Sequence, residues 1–283
     1  MIRWSCHNDN FGRFPAEVSF PFIRKLDYDA VDVSVRSAAP LAEIIRDPEG
    51  LGDRIRTLGE ENELGLSELF LGTMPVKGHN TMPTQPAAEA EAFAEAFEPV
   101  FRFAKRAGLA SIMTSVGDAQ PDEPFEQCFT RAGRVLEKLS LRALDYGLKL
   151  HVEPTRTSVL NEVPRALEMM QIAPHLGYTL DLLHYQVNGI GAEESVKLLP
   201  YSGHLHIRQA KRGVGKCVYE EGEIDYRILA AEIVRTGWEG DIASEFWIDD
   251  AMRAAGIRAV EQNIIMRYAF SRMLEEAGRT KGV

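Results

Sequence analysis

The chain has 283 residues, 45% of them apolar and 26% charged, a composition typical of a chain with a packed globular core. A formal net charge of −10 argues against general nucleic-acid binding, because contact with the phosphate backbone requires an excess of Lys and Arg. The sequence predicts no membrane span and no secretory signal, and its three widely spaced cysteines favour a reducing, cytoplasmic compartment.

The first half of the chain alternates short apolar segments with longer amphipathic ones. Strands are predicted at residues 2–7, 30–35, 66–71 and 111–116, and helices at residues 19–26, 52–63, 86–107 and 124–146. Pro99 is expected to kink the third helix. Residues 72–86 are predicted to form a long loop, of the kind that often serves as a lid or rim.

The second half continues the alternation. Strands are predicted at residues 148–154, 178–183, 204–208 and 242–246, and helices at residues 162–172, 192–199, 225–236 and 257–276. Eight strands alternating with eight helices predict a single α/β domain over residues 1–283, a (β/α)₈ TIM barrel. A doubly wound open sheet is the alternative.

The last four predicted strands each carry a polar side chain at the carboxyl end, where a barrel has its active site. These residues are Glu153, Asp181, His206 and Glu245. Three carboxylates and one imidazole suit one divalent metal, Mn²⁺ or Mg²⁺, with Co²⁺ also acceptable and Zn²⁺ less favoured because no thiolate is offered. The alternative is that these residues cap the helices that follow.

Three histidines are expected near the same face of the barrel. His151 and His204 lie two positions before Glu153 and His206, so each shares the face of its neighbour. They either orient the ligands or are core histidines with satisfied hydrogen bonds. His7 ends the first strand and is a candidate for substrate contact.

Four motifs resemble the xylose isomerase-like TIM barrels, a superfamily that includes sugar phosphate isomerases, ketose 3-epimerases and hydroxypyruvate isomerases. They are HVEP at 151–154, LDLLH at 180–184, GHLHI at 203–207 and SEF at 244–246. The resemblance implies that Glu153, Asp181, His206 and Glu245 bind one metal and that Glu153 and Glu245 exchange protons with the sugar carbon. It also implies substrate contacts by His184 and Arg212, and a homodimer or homotetramer.

Two features depart from the ketose 3-epimerases. Val159 stands where those enzymes carry a further glutamate, which argues against a standard ketohexose substrate. Arg208 and Lys211 add positive charge after the seventh strand. These cations either favour an anionic or keto-acid substrate or are surface charge.

The sequence therefore predicts a metal-dependent isomerase or epimerase that acts on a sugar or polyol derivative through an enediolate. A lyase or dehydratase that uses the same enediolate is the alternative. An AP endonuclease is disfavoured because its three-zinc cluster requires histidines on the second and third strands, which have none. A barrel without catalytic activity is the remaining alternative.

Overall fold

Eight parallel strands close into a barrel in the computed structural model, which describes residues 1–72, 74–76 and 79–280. The barrel strands are β1 Ile2–His7, β2 Ala30–Ser34, β3 Gly65–Gly72, β4 Ser111–Thr114, β5 Lys149–Val152, β6 Gly177–Asp181, β7 Ser202–Ile207 and β8 Gly240–Ser244. Each strand pairs with the next, and β1 pairs with β8. The predicted (β/α)₈ barrel is confirmed, and the open sheet is excluded.

Helices cover the outside of the barrel. In the described ranges they are α1 Ala16–Lys25, α2 Leu41–Arg46, α3 Pro48–Glu61, α4 Ala87–Glu95, α5 Glu98–Ala107, α6 Phe125–Asp145, α7 Val163–Ile172, α8 Leu182–Val187, α9 Ala192–Ser195, α10 Tyr226–Thr236, α11 Asp250–Ala254 and α12 Ala259–Thr280. Gly108 and Gly237 take the left-handed conformation that ends α5 and α10. None of these helices is long and apolar enough to cross a membrane.

Several element boundaries differ from the prediction. The helix predicted at residues 86–107 is two helices, α4 and α5, because Pro99 lies in the first turn of α5, where its missing N–H is tolerated. The loop predicted at residues 72–86 contains an antiparallel hairpin of Met74–Val76 and His79–Thr81. The sixth strand ends at Asp181 rather than residue 183, because Asp181 Oδ1 accepts a hydrogen bond from the Leu183 N–H and begins α8.

The apolar core lies mostly between the barrel wall and the helices. Aromatic side chains such as Phe20, Phe101 and Phe270 are fully buried there, each contributing roughly 1.5–3 kcal/mol relative to an exposed position. The barrel interior contains a polar network instead. Glu68 of β3, for example, accepts hydrogen bonds from Ser111 of β4 and Thr179 of β6. Polar side chains from several strands therefore lie beneath the carboxyl ends of β5–β8.

Candidate metal centre

The structure brings the four predicted ligands together. Glu153 and Glu245 directly follow β5 and β8, Asp181 is the last residue of β6, and His206 is the second to last of β7. All four side chains are buried, and one potential ligand atom from each lies within 4.8 Å of the others. Parallel strands whose carboxyl ends meet at one face produce this cluster.

The imidazole of His206 contacts both glutamates through one nitrogen. Its Nδ1 is 3.1 Å from Glu153 Oε1 and 3.3 Å from Glu245 Oε2. Its Nε2 is 3.3 Å from Asp32 Oδ2, although without the alignment of a hydrogen bond. Nδ1 therefore faces the carboxylates, and Asp32 occupies the position from which a carboxylate commonly orients a metal-binding histidine.

Asp32 forms a second group of potential ligands with His204 and His206. Its Oδ2 lies 2.8 Å from His204 Nε2, and its Oδ1 accepts a hydrogen bond from Ser5 at 2.6 Å. Burial raises the pKa of Asp32, but attraction to His204 and then His206 outweighs it and holds that pKa well below its usual range. Asp32 is therefore an ionised carboxylate beneath the main cluster, and its two oxygens already have partners in His204 and Ser5.

His151 is also a core histidine with a carboxylate partner. Its Nδ1 lies 2.6 Å from Glu68 Oε1. Its ring occupies space left by two glycines, since a Cβ at Gly177 or Gly203 would lie 2.5 Å or 2.6 Å from ring atoms. Both His151 and His204 are therefore core histidines paired with a carboxylate. His204 is also connected to a potential metal ligand, because its partner Asp32 lies next to His206.

The side chain of Arg208 lies inside the cluster. The sequence alone did not decide between this internal position and one at the surface. Its Nε donates to Asp181 Oδ2 at 2.7 Å. Its Nη2 lies 3.0 Å from Glu245 Oε2 and 3.5 Å from His184 Nε2. The side chain is only 7% exposed. Lys211, by contrast, pairs with Glu221 at 2.9 Å near the surface. The two cations expected after β7 therefore have different positions: Arg208 is internal and Lys211 is external.

These neighbours shift the titration of the carboxylates. Burial raises the pKa of Glu245, but the attraction of Arg208 and then His206 lowers it to about 2. Burial also opposes ionisation of Glu153, yet attraction to His184 and then His206 holds its pKa well below the usual range. At Asp181 burial has the larger effect and raises the pKa, although the positive charge of Arg208 acts to lower it. Both glutamates are therefore ionised at neutral pH.

The residues predicted to bind substrate lie at different depths. His184 Nε2 is 3.6 Å from Glu153 Oε2, and its buried Nδ1 has no hydrogen-bond partner among the described residues. His7 is fully buried, and its Nδ1 accepts the Asp9 N–H, while its Nε2 bonds to nothing in the part of the chain that the structure describes. Arg212 is exposed, and it lies next to Gly189, which belongs to the turn that follows α8. His184 therefore lies within the cluster, whereas Arg212 is at the outer rim.

The donor set and one unsatisfied atom fit a divalent metal. Glu245 Oε2 is buried and, although it lies 3.0 Å from Arg208 Nη2, accepts no well-aligned hydrogen bond from the described residues. Three of the four donors are carboxylates, and oxygen-rich sets of this kind bind hard divalent cations. The cluster is therefore a possible metal-binding site.

Sequence reasoning missed Asp32 and Glu68 as members of the network. Both lie in buried strands, Asp32 between two valines and Glu68 before Leu69. A charged residue inside an apolar strand was the available signal, because a buried charge requires a partner. Val159, the departure from the epimerase pattern, is buried in the apolar core.

Comparisons with known proteins agree with this architecture. The model of the family described as xylose isomerase-like TIM barrel matches residues 20–265. No curated protein matches the chain significantly.

Solved structures of several proteins share the fold. The structure of L-ribulose 3-epimerase is 16% identical over 100% of this chain and 97% of that one, with a TM-score of 0.79. A probable 3-DHS dehydratase from Bacillus anthracis is 13% identical over 95% and 98% of the two chains, with a TM-score of 0.69. A xylose isomerase-like TIM barrel protein from Mycobacterium smegmatis in complex with magnesium is 15% identical over 98% and 97%, with a TM-score of 0.71.

Proposed function

Because this chain belongs to the xylose isomerase-like TIM barrel family, we propose that it is a divalent-metal-dependent isomerase or epimerase of a sugar or sugar derivative. The observation that carries the proposal is the buried cluster of Glu153, Asp181, His206 and Glu245, in which two glutamates approach the same imidazole nitrogen. The similarity to L-ribulose 3-epimerase supports the same class of reaction.

The four clustered residues would hold one metal ion, and Mn²⁺ or Mg²⁺ is proposed because carboxylate oxygens dominate the set. A divalent ion held there would polarise a substrate carbonyl and acidify the neighbouring C–H bond. The magnesium complex of a structure with the same fold supports this choice.

Glu153 and Glu245 are the proposed proton-transfer pair. One carboxylate removes the proton from the carbon beside the carbonyl, which leaves the substrate as an enediolate. The other returns a proton, to the opposite face of that carbon in an epimerase. Return of the proton to the neighbouring carbon gives an isomerase instead. The proposal is supported by the short distances from His206 Nδ1 to Glu153 Oε1, 3.1 Å, and to Glu245 Oε2, 3.3 Å, since two carboxylates this close to one nitrogen can act on one bound substrate.

His184, His7 and Arg212 are the proposed substrate-binding residues. His184 is beside Glu153, where its position suits contact with a substrate oxygen next to the reacting carbon. The unpartnered Nε2 of His7 suits the same task from β1. The exposed Arg212 would bind the distal end of the substrate.

A metal-dependent lyase or dehydratase of a keto-sugar or keto-acid is the second candidate. One structure of the same fold is that of a probable 3-DHS dehydratase. Removal of a proton beside a carbonyl begins both reactions, and only the fate of the enediolate differs. A cytoplasmic location is part of the proposal and rests on three buried free cysteines.

Solvent deuterium incorporation tests the proposed function. Ketoses and keto-acids are incubated in D₂O with the Mn²⁺-loaded enzyme, and deuterium is expected at the carbon beside the carbonyl. A product that has lost the mass of one water would identify the dehydratase. Turnover without deuterium uptake would contradict proton abstraction by either enzyme.

Two variants separate chemistry from binding. Glu245→Gln keeps the shape of the side chain but removes the base, so turnover should fall at least about a hundredfold while the fold is retained. Arg212→Ala should mainly raise KM, because it removes binding that is similar in the ground and transition states. A Glu245→Gln enzyme with wild-type turnover would rule out the paired-glutamate mechanism.

A further inference from the structure

Two mostly buried cations are associated with the cluster: Arg208 lies inside it, and Lys216 is close enough to interact electrostatically with Arg208 and Glu245. Arg208 contacts Asp181 and Glu245, and its Nη1 forms no hydrogen bond with the residues that the structure describes. Lys216 follows β7 in the chain, and its side chain is 14% exposed. The Lys216 ammonium lies 3.6 Å from the ring centroid of Trp247, two residues after Glu245.

Lys216 has a carboxylate neighbour in the described chain, Asp249, at 3.7 Å. The Asp249 side chain is 54% exposed, whereas that of Lys216 is 14% exposed. An ion pair whose carboxylate stays largely in solvent offsets little of the cost of burying the ammonium group, so a second anion at this position would be favoured.

A cleft that borders Trp247, the aromatic neighbour of Lys216, is also basic. The cleft has a volume of about 890 Å³. Its charged lining consists of one carboxylate, Asp9, which pairs with Arg36, and three further arginines without ion pairs to described residues: Arg13, Arg253 and Arg258. This local charge is opposite to the net charge of −10. A basic cleft with low-dielectric walls raises the local concentration of anions.

We infer that the substrate is an acidic sugar derivative whose carboxylate binds Arg208 and Lys216. This inference rests on the proposed function and names its substrate class. The planar guanidinium of Arg208 has one terminal nitrogen left to donate, which suits a carboxylate oxygen, and Lys216 supplies the second positive charge. Arg208 is therefore a specificity-determining residue.

Ligand binding to the Mn²⁺-loaded protein tests the inference. Three six-carbon probes differ only at C1, the terminal carbon next to the carbonyl: D-fructose has a neutral CH2OH group there, 2-keto-D-gluconate has a carboxylate, and D-fructose 1-phosphate has a phosphate ester. Isothermal titration calorimetry is expected to show at least about tenfold tighter binding of the keto-acid than of the ketose, as for a desolvated charge pair. Metal content is measured in every sample.

Variants assign the effect to the two cations. Lys216→Met should weaken keto-acid binding at least about tenfold and leave ketose binding nearly unchanged. Arg208→Met also removes a partner of Asp181 and Glu245, so it should weaken the binding of both ligands, and the keto-acid at least about tenfold more than the ketose. Arg208→Lys retains the charge and should recover part of the affinity. Lys211→Met removes a surface cation of the same segment and should have no effect, because Lys211 pairs with Glu221.

Specific results would overturn the inference. The first is that the ketose binds as tightly as the keto-acid or more tightly. The second is that the Arg208 and Lys216 variants weaken the binding of both ligands equally. The third is that the phosphate ester binds more tightly than the keto-acid. Deuterium uptake by D-fructose without keto-acid binding would reject the inference and retain the proposed function. Keto-acid binding that depends on Arg208, with no deuterium exchange in any ligand, would retain the inference and reject the proposed function.

Discussion

At the scale of single residues, Asp181 both caps a helix and belongs to the cluster of potential metal ligands. Its Oδ1 accepts the Leu183 N–H at the start of α8, and its Oδ2 accepts from Arg208. It is also one of the four potential metal ligands. Loss of the side chain therefore affects a helix cap, worth about 1 kcal/mol, as well as the centre.

Asp181→Ala is expected to lose metal. Elemental analysis after dialysis against Mn²⁺ should find one ion per wild-type chain and affinity at least about tenfold weaker in the variant, since loss of even an outer partner of a metal site costs that much. Asp181→Asn retains a capping oxygen and separates the two roles. Asp225→Ala removes a similar cap from α10, far from the cluster in the chain, and should keep full metal content. Equal metal in Asp181→Ala and the wild type would contradict the site.

At the scale of the strands, β6 and β7 are shaped around a side chain of β5. Gly177 of β6 and Gly203 of β7 both approach the ring of His151, and Glu68 of β3 holds the other side of that ring. Four strands thus share one buried contact below the metal centre. Because the interior is close-packed, a methyl group added there has no free space.

Gly203→Ala is expected to destabilise the barrel. The new Cβ would lie 2.6 Å from His151 Nε2, so the ring or the strand must move, at a cost of about 1–3 kcal/mol for overpacking. Urea unfolding monitored by circular dichroism measures the change in free energy of unfolding.

Gly278→Ala is the matched control for this change. Gly278 lies in α12 with no atom of the described residues within 4 Å of the position of a Cβ, so its replacement should be neutral or stabilising by up to about 1 kcal/mol. Unfolding midpoints that coincide for Gly203→Ala and the wild type would show that His151 does not need the space.

At the scale of the whole molecule, the last helix offers a surface for self-association. Within α12, Phe270 is fully buried against Trp4 and Tyr226, which seals the barrel. Tyr268 of the same helix is 67% exposed. An exposed aromatic residue on an outer helix is a feature of many protein interfaces, so a dimer or tetramer remains the prediction.

Light scattering measures this assembly. A mass of at least twice 31.6 kDa at micromolar concentration is expected, and Tyr268→Lys should lower it if α12 forms the contact. Leu144→Lys changes a residue of α6 that is 48% exposed and serves as the control. A mass of only 31.6 kDa for the wild type would reject assembly.

The sequence by itself determined the order of the barrel and the cluster at its carboxyl face. Alternating apolar strands and amphipathic helices have short periods that a single sequence displays. Since parallel strands end at one face, the positions of Glu153, Asp181, His206 and Glu245 followed from strand order alone.

The tertiary structure alone decided which distant groups meet. Glu68 and His151 are 83 positions apart, and Asp32 and His204 are 172 apart, so no local pattern pairs them. The two-residue spacing of His206 and Arg208 placed both on one face, yet burial of the guanidinium depends on Asp181 and Glu245 of neighbouring strands. Periodicity fixes the face of a strand on which a side chain lies, whereas its partner depends on the closure of the barrel.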